Sequence, residues 1–171
     1  MKIYRQSDYL TNEWTGGITR QLYIHPEEAS LSARNFTLRI SSAVIDLTES
    51  DFSDFTGYTR HIMPLEGDIQ LVRNGERIVL EKDRLFRFDG SEKISSINSK
   101  GATDFNIIHR KDIEIDTKIV EGDAETDAGH TTIVFALGDC GIDSIILHRH
   151  ETLVTEKKTH VTGKAVFITL P

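Results

Sequence analysis

The sequence predicts an all-β protein of two small barrels, and three observations support this fold class. Eleven short runs along the 171 residues are rich in β-branched or aromatic side chains and are separated by Gly, Asp, Asn or Ser. Helix signals are few by comparison. A strand-glycine-strand plan around Gly67 recurs around Gly163, and this weak internal repeat favours two barrels over one.

The predicted strands follow one another from Asn35 onwards. Asn74-Gly75 joins two of them as a tight hairpin, since this pair tolerates positive φ. Only Pro26–Ala33 could form a helical turn or two, with proline in the first turn and acidic residues directly after it. The eleven strand-like runs are 35–47, 60–65, 68–72, 77–80, 84–88, 93–98, 104–110, 116–120, 131–137, 143–150 and 164–170.

No linker rich in Pro, Gly or Ser divides the chain, so we expect one compact unit over residues 1–171. Within that unit, the strand pattern divides into two groups. We expect an N-terminal barrel over residues 1–112 and a smaller C-terminal barrel over residues 113–171.

The composition argues against several classes of partner. Twenty Lys and Arg against 27 Asp and Glu give a formal net charge of -7, the wrong sign for a nucleic-acid binder. No apolar run approaches the roughly 20 residues that span a bilayer, so we expect no membrane contact. Cys140 is the only cysteine, and a free thiol favours a reducing compartment. We therefore expect a cytoplasmic protein.

Two predicted strands each place polar side chains on one face. Strand alternation puts Arg39, Ser41 and Ala43 on the face opposite the apolar side chains of the same run. Asp104, Asn106, Ile108 and Arg110 share a face in the same way further along the chain. Small barrels that hold a ligand show this mixture of apolar lining and a few polar groups. The alternative is that Arg39 lies on a solvated outer face.

Several motifs in order carry a family resemblance. "EWTGGITRQLYIHP", "FTLRISSA", "FSDFTGYTR" followed by "LEGDIQLV", then "FDGS" and "DFNIIHR", are similar to the motifs of the HutD/Ves proteins. That family has a bicupin fold, in which two small β-barrels of the double-stranded β-helix or jelly-roll type pack together. The match runs from about Trp14 to Arg110, and the rest of the chain matches in its strand pattern.

The resemblance implies a ligand pocket in the N-terminal barrel. The irregular loop "FSDFTGYTR" would lie across the mouth of that barrel as a lid, with Gly57 supplying its sharp bend. Arg39 and Arg60 would approach from neighbouring strands and hold a small carboxylate metabolite between them. The alternative is that these arginines bind Asp54 or Asp104 within the protein. The expected ligand-binding residues are Trp14, Thr19, Arg39, Ser41, Phe55, Arg60 and Asn106.

The C-terminal segment contains a near-match to the metal motif of the cupin superfamily. His148, His150 and Glu156 have spacing close to that motif, but the positions are off by about one residue at two places. A one-residue slip sends a side chain to the opposite face of a strand. We therefore expect no metal and no other cofactor. Cys140 has no evident base partner, so we assign no catalytic residue.

Three functions remain open from the sequence. The first is a metal-independent cupin that binds a small anionic metabolite in a regulatory or metabolite-buffering role, which the histidine-utilisation association of the HutD branch suggests. The second is a metal-dependent cupin enzyme, an oxygenase or isomerase, which would use the histidines near the C-terminus. The third is an interaction module without a small ligand, which forms a homodimer through an exposed strand edge.

Overall fold

The computed structural model describes residues 1–170, which form seventeen β-strands and one 3-10 helix, Gln6–Asp8. No helix within this part of the chain has the length and hydrophobicity needed to cross a membrane. The strands are β1 Lys2–Tyr4, β2 Leu10–Trp14, β3 Gly17–His25, β4 Leu38–Ile45, β5 Glu49–Asp51, β6 Tyr58–Glu66, β7 Ile69–Arg73, β8 Glu76–Val79, β9 Phe86–Asp89, β10 Ile94–Asn98, β11 Ala102–Arg110, β12 Asp116–Glu125, β13 Thr131–Ala136, β14 Cys140–Ile142, β15 Ile145–Leu147, β16 Thr152–Thr155 and β17 His160–Leu170.

The chain divides into two compact units, and the first of them is Leu10–Ile113. It contains a six-stranded sheet in the order β2-β3-β4-β11-β6-β9 and a four-stranded sheet in the order β5-β10-β7-β8. Apolar side chains from both sheets form one buried cluster. Ile45 and Ile62 contribute from the larger sheet, and Leu71 and Ile94 from the smaller one. Burial of this cluster holds the two sheets face to face.

The second unit consists of Met1–Tyr9 together with residues from 114 onwards. It contains a seven-stranded sheet in which β17 pairs with β12, β13 and β14. Its interior is an apolar cluster that includes Leu153, Phe167 and the buried thiol of Cys140. The first nine residues, which we assigned to the N-terminal barrel, lie in this unit because β1 pairs with β16.

Two local expectations were wrong. Pro26–Ala33 forms turns rather than a helix. Side chains there take over backbone hydrogen bonds, since Asn35 Oδ1 accepts from the Ser30 N–H at 2.9 Å and Ser30 Oγ accepts from the Ala33 N–H at 3.1 Å. Gly163 does not separate two strands as Gly67 does, because it lies inside the continuous strand β17. A Cβ at this glycine would come within 2.9 Å of the Asp139 carbonyl oxygen.

Gly17 permits the close approach of β3 to β4 at the start of the larger sheet. It pairs with Ile45 and has φ +148°, a conformation that residues with side chains rarely adopt. A Cβ at this position would lie 2.0 Å from the Val44 carbonyl oxygen. Any larger residue therefore has to displace backbone.

We expect Gly17→Ala to lower the free energy of unfolding by about 3 kcal/mol or more, because strain and a backbone clash add together. Gly138→Ala is the matched control, since a Cβ there meets nothing within 4 Å. It should cost under about 1 kcal/mol. Chemical denaturation of the two variants measures the difference, and equal stabilities would contradict the close approach at Gly17.

Two histidines are buried side by side in the larger sheet. The ring centroids of His61 on β6 and His109 on β11 lie 5.5 Å apart, and the planes of the two rings meet at 76°. Within residues 1–170, the Nε2 atom of His61 has no hydrogen-bond partner. The pKa of His61 is lowered from 6.5 to about 4, mainly by burial and also by the nearby His109 and Arg87. His61 is therefore neutral at physiological pH.

We expect this buried histidine to make the protein acid-sensitive. The unfolded chain binds the proton near pH 6.5 and the folded chain only near pH 4, so stability falls as the pH drops through that window. In wild type, the free energy of unfolding should fall by up to about 3 kcal/mol between these pH values because of His61, and His61→Phe should abolish this fall. Denaturation at a series of pH values measures it, with exposed His130→Phe as control. Parallel profiles for wild type and His61→Phe would contradict this burial effect.

Candidate functional site

Three neighbouring strands of the larger sheet form the floor of a cavity. In their register, Ile108 on β11 lies opposite Arg39 on β4 and opposite Arg60 on β6. We expected the two arginines to come from neighbouring strands, and this expectation was wrong, because β11 lies between their strands. They occupy one row on either side of the central strand, about 10 Å apart in the backbone at ordinary strand spacing. Both side chains line the same cavity.

The cavity above this floor has a volume of about 360 Å³. It brings together all seven residues predicted to bind a ligand. Strand alternation explains the floor, since β4 and β11 both turn alternate side chains towards the cavity. The lining residues are Asn12, Trp14, Thr19, Leu31, Arg39, Ser41, Ala43, Ile45, Ser50, Asp51, Phe52, Ser53, Phe55, Arg60, Asp104, Asn106 and Ile108.

Arg39 is buried and only partly satisfied. Its side chain is 3% exposed, so the solvated outer face considered for it is wrong. Nε donates to Gln21 Oε1 at 3.1 Å and Nη1 donates to Ser41 Oγ at 3.1 Å. Nη2 has no hydrogen-bond partner in the described chain. The pKa of Arg39 is lowered to about 10, mainly by burial and also by the Arg34 charge, while Asp104 opposes the shift.

Arg60 is held among aromatic rings. Its guanidinium carbon lies 4.9 Å from the ring centroid of Phe52 and 5.2 Å from those of Phe55 and Phe88. Nη2 donates to Asn106 Oδ1 at 3.2 Å, whereas Nε has no partner among residues 1–170. Burial lowers the pKa of Arg60 to about 10. Both guanidiniums stay protonated at neutral pH and leave N–H groups unbonded.

A buried carboxyl lies on the same floor. Asp104 Oδ1 accepts from the Ala43 N–H at 2.9 Å, and the Asn106 side chain also hydrogen-bonds the carboxyl. Burial raises the pKa of Asp104 to about 6, although these hydrogen bonds and the charges of Arg60 and Arg39 lower it. Asp104 thus interacts with the arginines through their charge. It does not form the direct ion pair expected if the arginines bound Asp54 or Asp104 within the protein.

Asp54, the other acidic residue in that alternative, is bonded elsewhere. Its Oδ1 accepts from the Thr56 N–H and from Thr56 Oγ1, both at 2.8 Å. The acid therefore shapes the turn of the irregular loop. In the described chain, no carboxylate forms an ion pair with Arg39 or Arg60.

The irregular loop, residues 52–57, forms one wall of the cavity. Phe55 is 5% exposed and packs against Phe36 and Tyr58. The Arg34 guanidinium stacks on the Phe55 ring, 3.7 Å from its centroid, and donates to the Asp54 carbonyl oxygen at 2.6 Å. Gly57 has φ +90°. The loop is thus anchored at its centre, which explains its aromatic content.

The sequence analysis missed several residues of the site. Asn12 pairs with Thr19 across β2 and β3, but β2 is exposed along its length and has no apolar alternation to reveal it. Gln21 orients Arg39 and lies beside a register shift between residues 21 and 23, which breaks the simple alternation. Trp14, by contrast, was predicted from the sequence; it is 43% exposed and donates from Nε1 to Thr19 Oγ1 at 3.2 Å.

The residues of the near-match to a metal motif lie apart. His148 and His150 fall in the turn after β15, not on one strand face, and His148 Nδ1 lies 3.6 Å from Asp139. His150 stacks on Phe135, and Glu156 accepts from Thr131. Within residues 1–170, no three His, Cys, Asp or Glu side chains are grouped as a metal site. Burial raises the pKa of the Cys140 thiol, which opposes its use as a nucleophile.

Comparisons with known proteins agree with this architecture. A family model described as HutD matches residues 6–167. Among curated proteins, none matches the sequence significantly. Solved structures resemble it along its whole length. HutD from Pseudomonas fluorescens SBW25, in a formate condition, is 26% identical with a TM-score of 0.85, covering 98% of this chain and 96% of that chain.

Two further structures extend the likeness. PA5104 from Pseudomonas aeruginosa PAO1, a conserved protein of unknown function, is 24% identical with a TM-score of 0.79, covering 98% of this chain and 96% of that chain. A cupin 2 conserved barrel domain protein from Leptotrichia buccalis is 11% identical with a TM-score of 0.63, covering 99% of this chain and 96% of that chain. At such identities the two likenesses concern the fold, which is of the cupin type.

Proposed function

The chain belongs to the HutD family and has a cupin-type fold, and from this premise we propose that it binds a small carboxylate metabolite between Arg39 and Arg60. The proposed site is the cavity within the unit Leu10–Ile113. Its role is to sense or buffer that metabolite. Two cupin barrels in one chain, a bicupin plan, are part of the same proposal.

One observation carries the proposal. Arg39 and Arg60 are 3% and 7% exposed, both line one cavity, and each has a buried N–H group without a partner in the described chain. An unsatisfied buried donor costs about 1–3 kcal/mol, and more when it is charged. A carboxylate offers two acceptor oxygens and a negative charge, so it can bind both guanidiniums at once.

The surroundings strengthen such a contact. Leu31, Phe52, Phe55 and Ile108 supply an apolar wall, which excludes water and lowers the local dielectric. The Arg39 charge contributes to the lowered pKa of Arg60, as expected for two like charges that share a cavity without an anion. An anion between them relieves this repulsion, and therefore binds with a stabilising charge term that a neutral ligand lacks.

A binding role requires no metal ion and no activated nucleophile. Polar groups around the arginines can fix the orientation of a bound metabolite, since Ser41 and Asn106 already position the guanidiniums. Trp14 and Thr19 lie at the rim and would contact the part of the metabolite beyond its carboxylate. Regulation of a pathway by metabolite concentration needs this kind of reversible site.

We expect small carboxylates to raise the melting temperature of the wild-type protein. Formate, acetate, fumarate and fumaramate span a range of size and charge. Arg39→Met and Arg60→Met keep the apolar stem but remove the donors, so each should weaken binding by about 2 kcal/mol, roughly 30-fold. The exposed Arg77→Ala variant is the control and should bind as wild type does. Differential scanning fluorimetry and calorimetry provide the measurements.

The opposite pattern would refute the proposed site. If no carboxylate stabilises the wild type, and both methionine variants lose several kcal/mol without ligand, the arginines hold the barrel together instead.

A further inference from the structure

Asp104 is a buried acid inside the cavity proposed to hold an anion. It is 5% exposed and lines the cavity beside Asn106, the residue that accepts from Arg60. An acid next to an anion site opposes anion binding by direct repulsion. Its presence there needs a reason beyond general affinity for carboxylates.

The charges that face Asp104 come from several elements. Arg39 projects from β4 and Arg60 from β6, and both are buried. Arg34 lies in the segment before β4 and is exposed, as is Asp51 on β5 at the cavity wall. Exposed charges are screened by water, so the two buried arginines and Asp104 dominate. The net charge of these three side chains is +1 when Asp104 is ionised and +2 when Asp104 is protonated.

We propose that Asp104 determines the charge of the ligand. With Asp104 ionised the site takes a monocarboxylate, and it takes a dicarboxylate only when Asp104 is protonated, so that dianion binding takes up one proton from solvent. This inference rests on the proposed carboxylate site and specifies its selectivity.

Charge balance supports this selectivity. One carboxylate between Arg39 and Arg60 compensates the +1 site, whereas a dianion would place three negative charges against two positive ones. Protonation of Asp104 removes one negative charge and also turns its carboxyl into an O–H donor for a second carboxylate. Burial already raises the pKa of this acid to about 6, so protonation near neutral pH costs little.

A structural role for Asp104 is real but does not require a charge. Its Oδ1 accepts from the Ala43 N–H at 2.9 Å, and an asparagine at this position offers the same carbonyl acceptor. Asp104→Asn therefore separates the hydrogen bond to the strand from the negative charge. The ligand's charge preference is the readout that a merely structural role would not change.

The test uses fumarate and fumaramate, which differ by one charge and hardly in shape. Isothermal titration calorimetry in two buffers of different ionisation enthalpy counts the protons taken up on binding. For wild type, fumarate should take up close to one proton at about pH 8, and its affinity should fall ~10-fold from about pH 7 to 8. Fumaramate should take up almost none, with less than about a 2-fold change in affinity.

The Asp104→Asn variant should reverse the preference of the site for the monoanion fumaramate over the dianion fumarate. Its fumarate affinity should be independent of pH and exceed that of wild type by ~10-fold or more at about pH 8. Asp68→Asn, an exposed acid in the turn between β6 and β7, removes the same charge outside the cavity and should behave as wild type. The proton count on wild type stands even if Asp104→Asn fails to fold.

The outcomes separate this inference from the proposed function. If both ligands bind to wild type without proton uptake, and with the same ratio of affinities at every pH, Asp104 does not select charge and the carboxylate site remains. If Asp104→Asn folds and keeps the wild-type preference, the inference is also overturned. If no carboxylate binds at all, the proposed function fails, and this inference fails with it.

Discussion

The pairing of β11 with both β4 and β6 is the constraint on which the site depends. This register places Arg39, Ile108 and Arg60 in one row across three strands, on the face that turns towards the cavity. A shift by one residue in either pair would move an arginine to the opposite face. The apolar side chains that alternate with them, such as Ile40 and Ile107, are fully buried and therefore fix the register.

Two buried cations in one cavity are tolerated because their surroundings offset part of the cost. Aromatic rings lie against Arg60, Gln21 and Ser41 accept from Arg39, and the Asp104 charge is close enough to raise the pKa of both. The compensation is incomplete, since Arg39 Nη2 and Arg60 Nε have no hydrogen-bond partner in the described chain. An anion completes it, and this incompleteness links the architecture of the cavity to its proposed function.

The sequence predicted eleven of the seventeen strands and the polar face, but not β1, β2, β3, β5, β14 and β16, nor the order of the strands. Alternation in β4 and β11 assigned Arg39 and Asn106 to the correct face, because their partners in each run are plainly apolar. Burial of Arg39 could not be predicted, since it depends on which sheet covers that face. The place of β11 between the two arginines depends on long-range pairing, which local patterns do not encode. Exposed β2 lacks any alternation that would reveal it.

A crystal structure of the protein grown with fumaramate tests the central claim most directly. We predict electron density for its carboxylate between the two guanidiniums, with one oxygen within hydrogen-bonding distance of Arg39 and the other within that distance of Arg60. The account would be contradicted if the carboxylate bound elsewhere in the molecule, with only water between the two arginines.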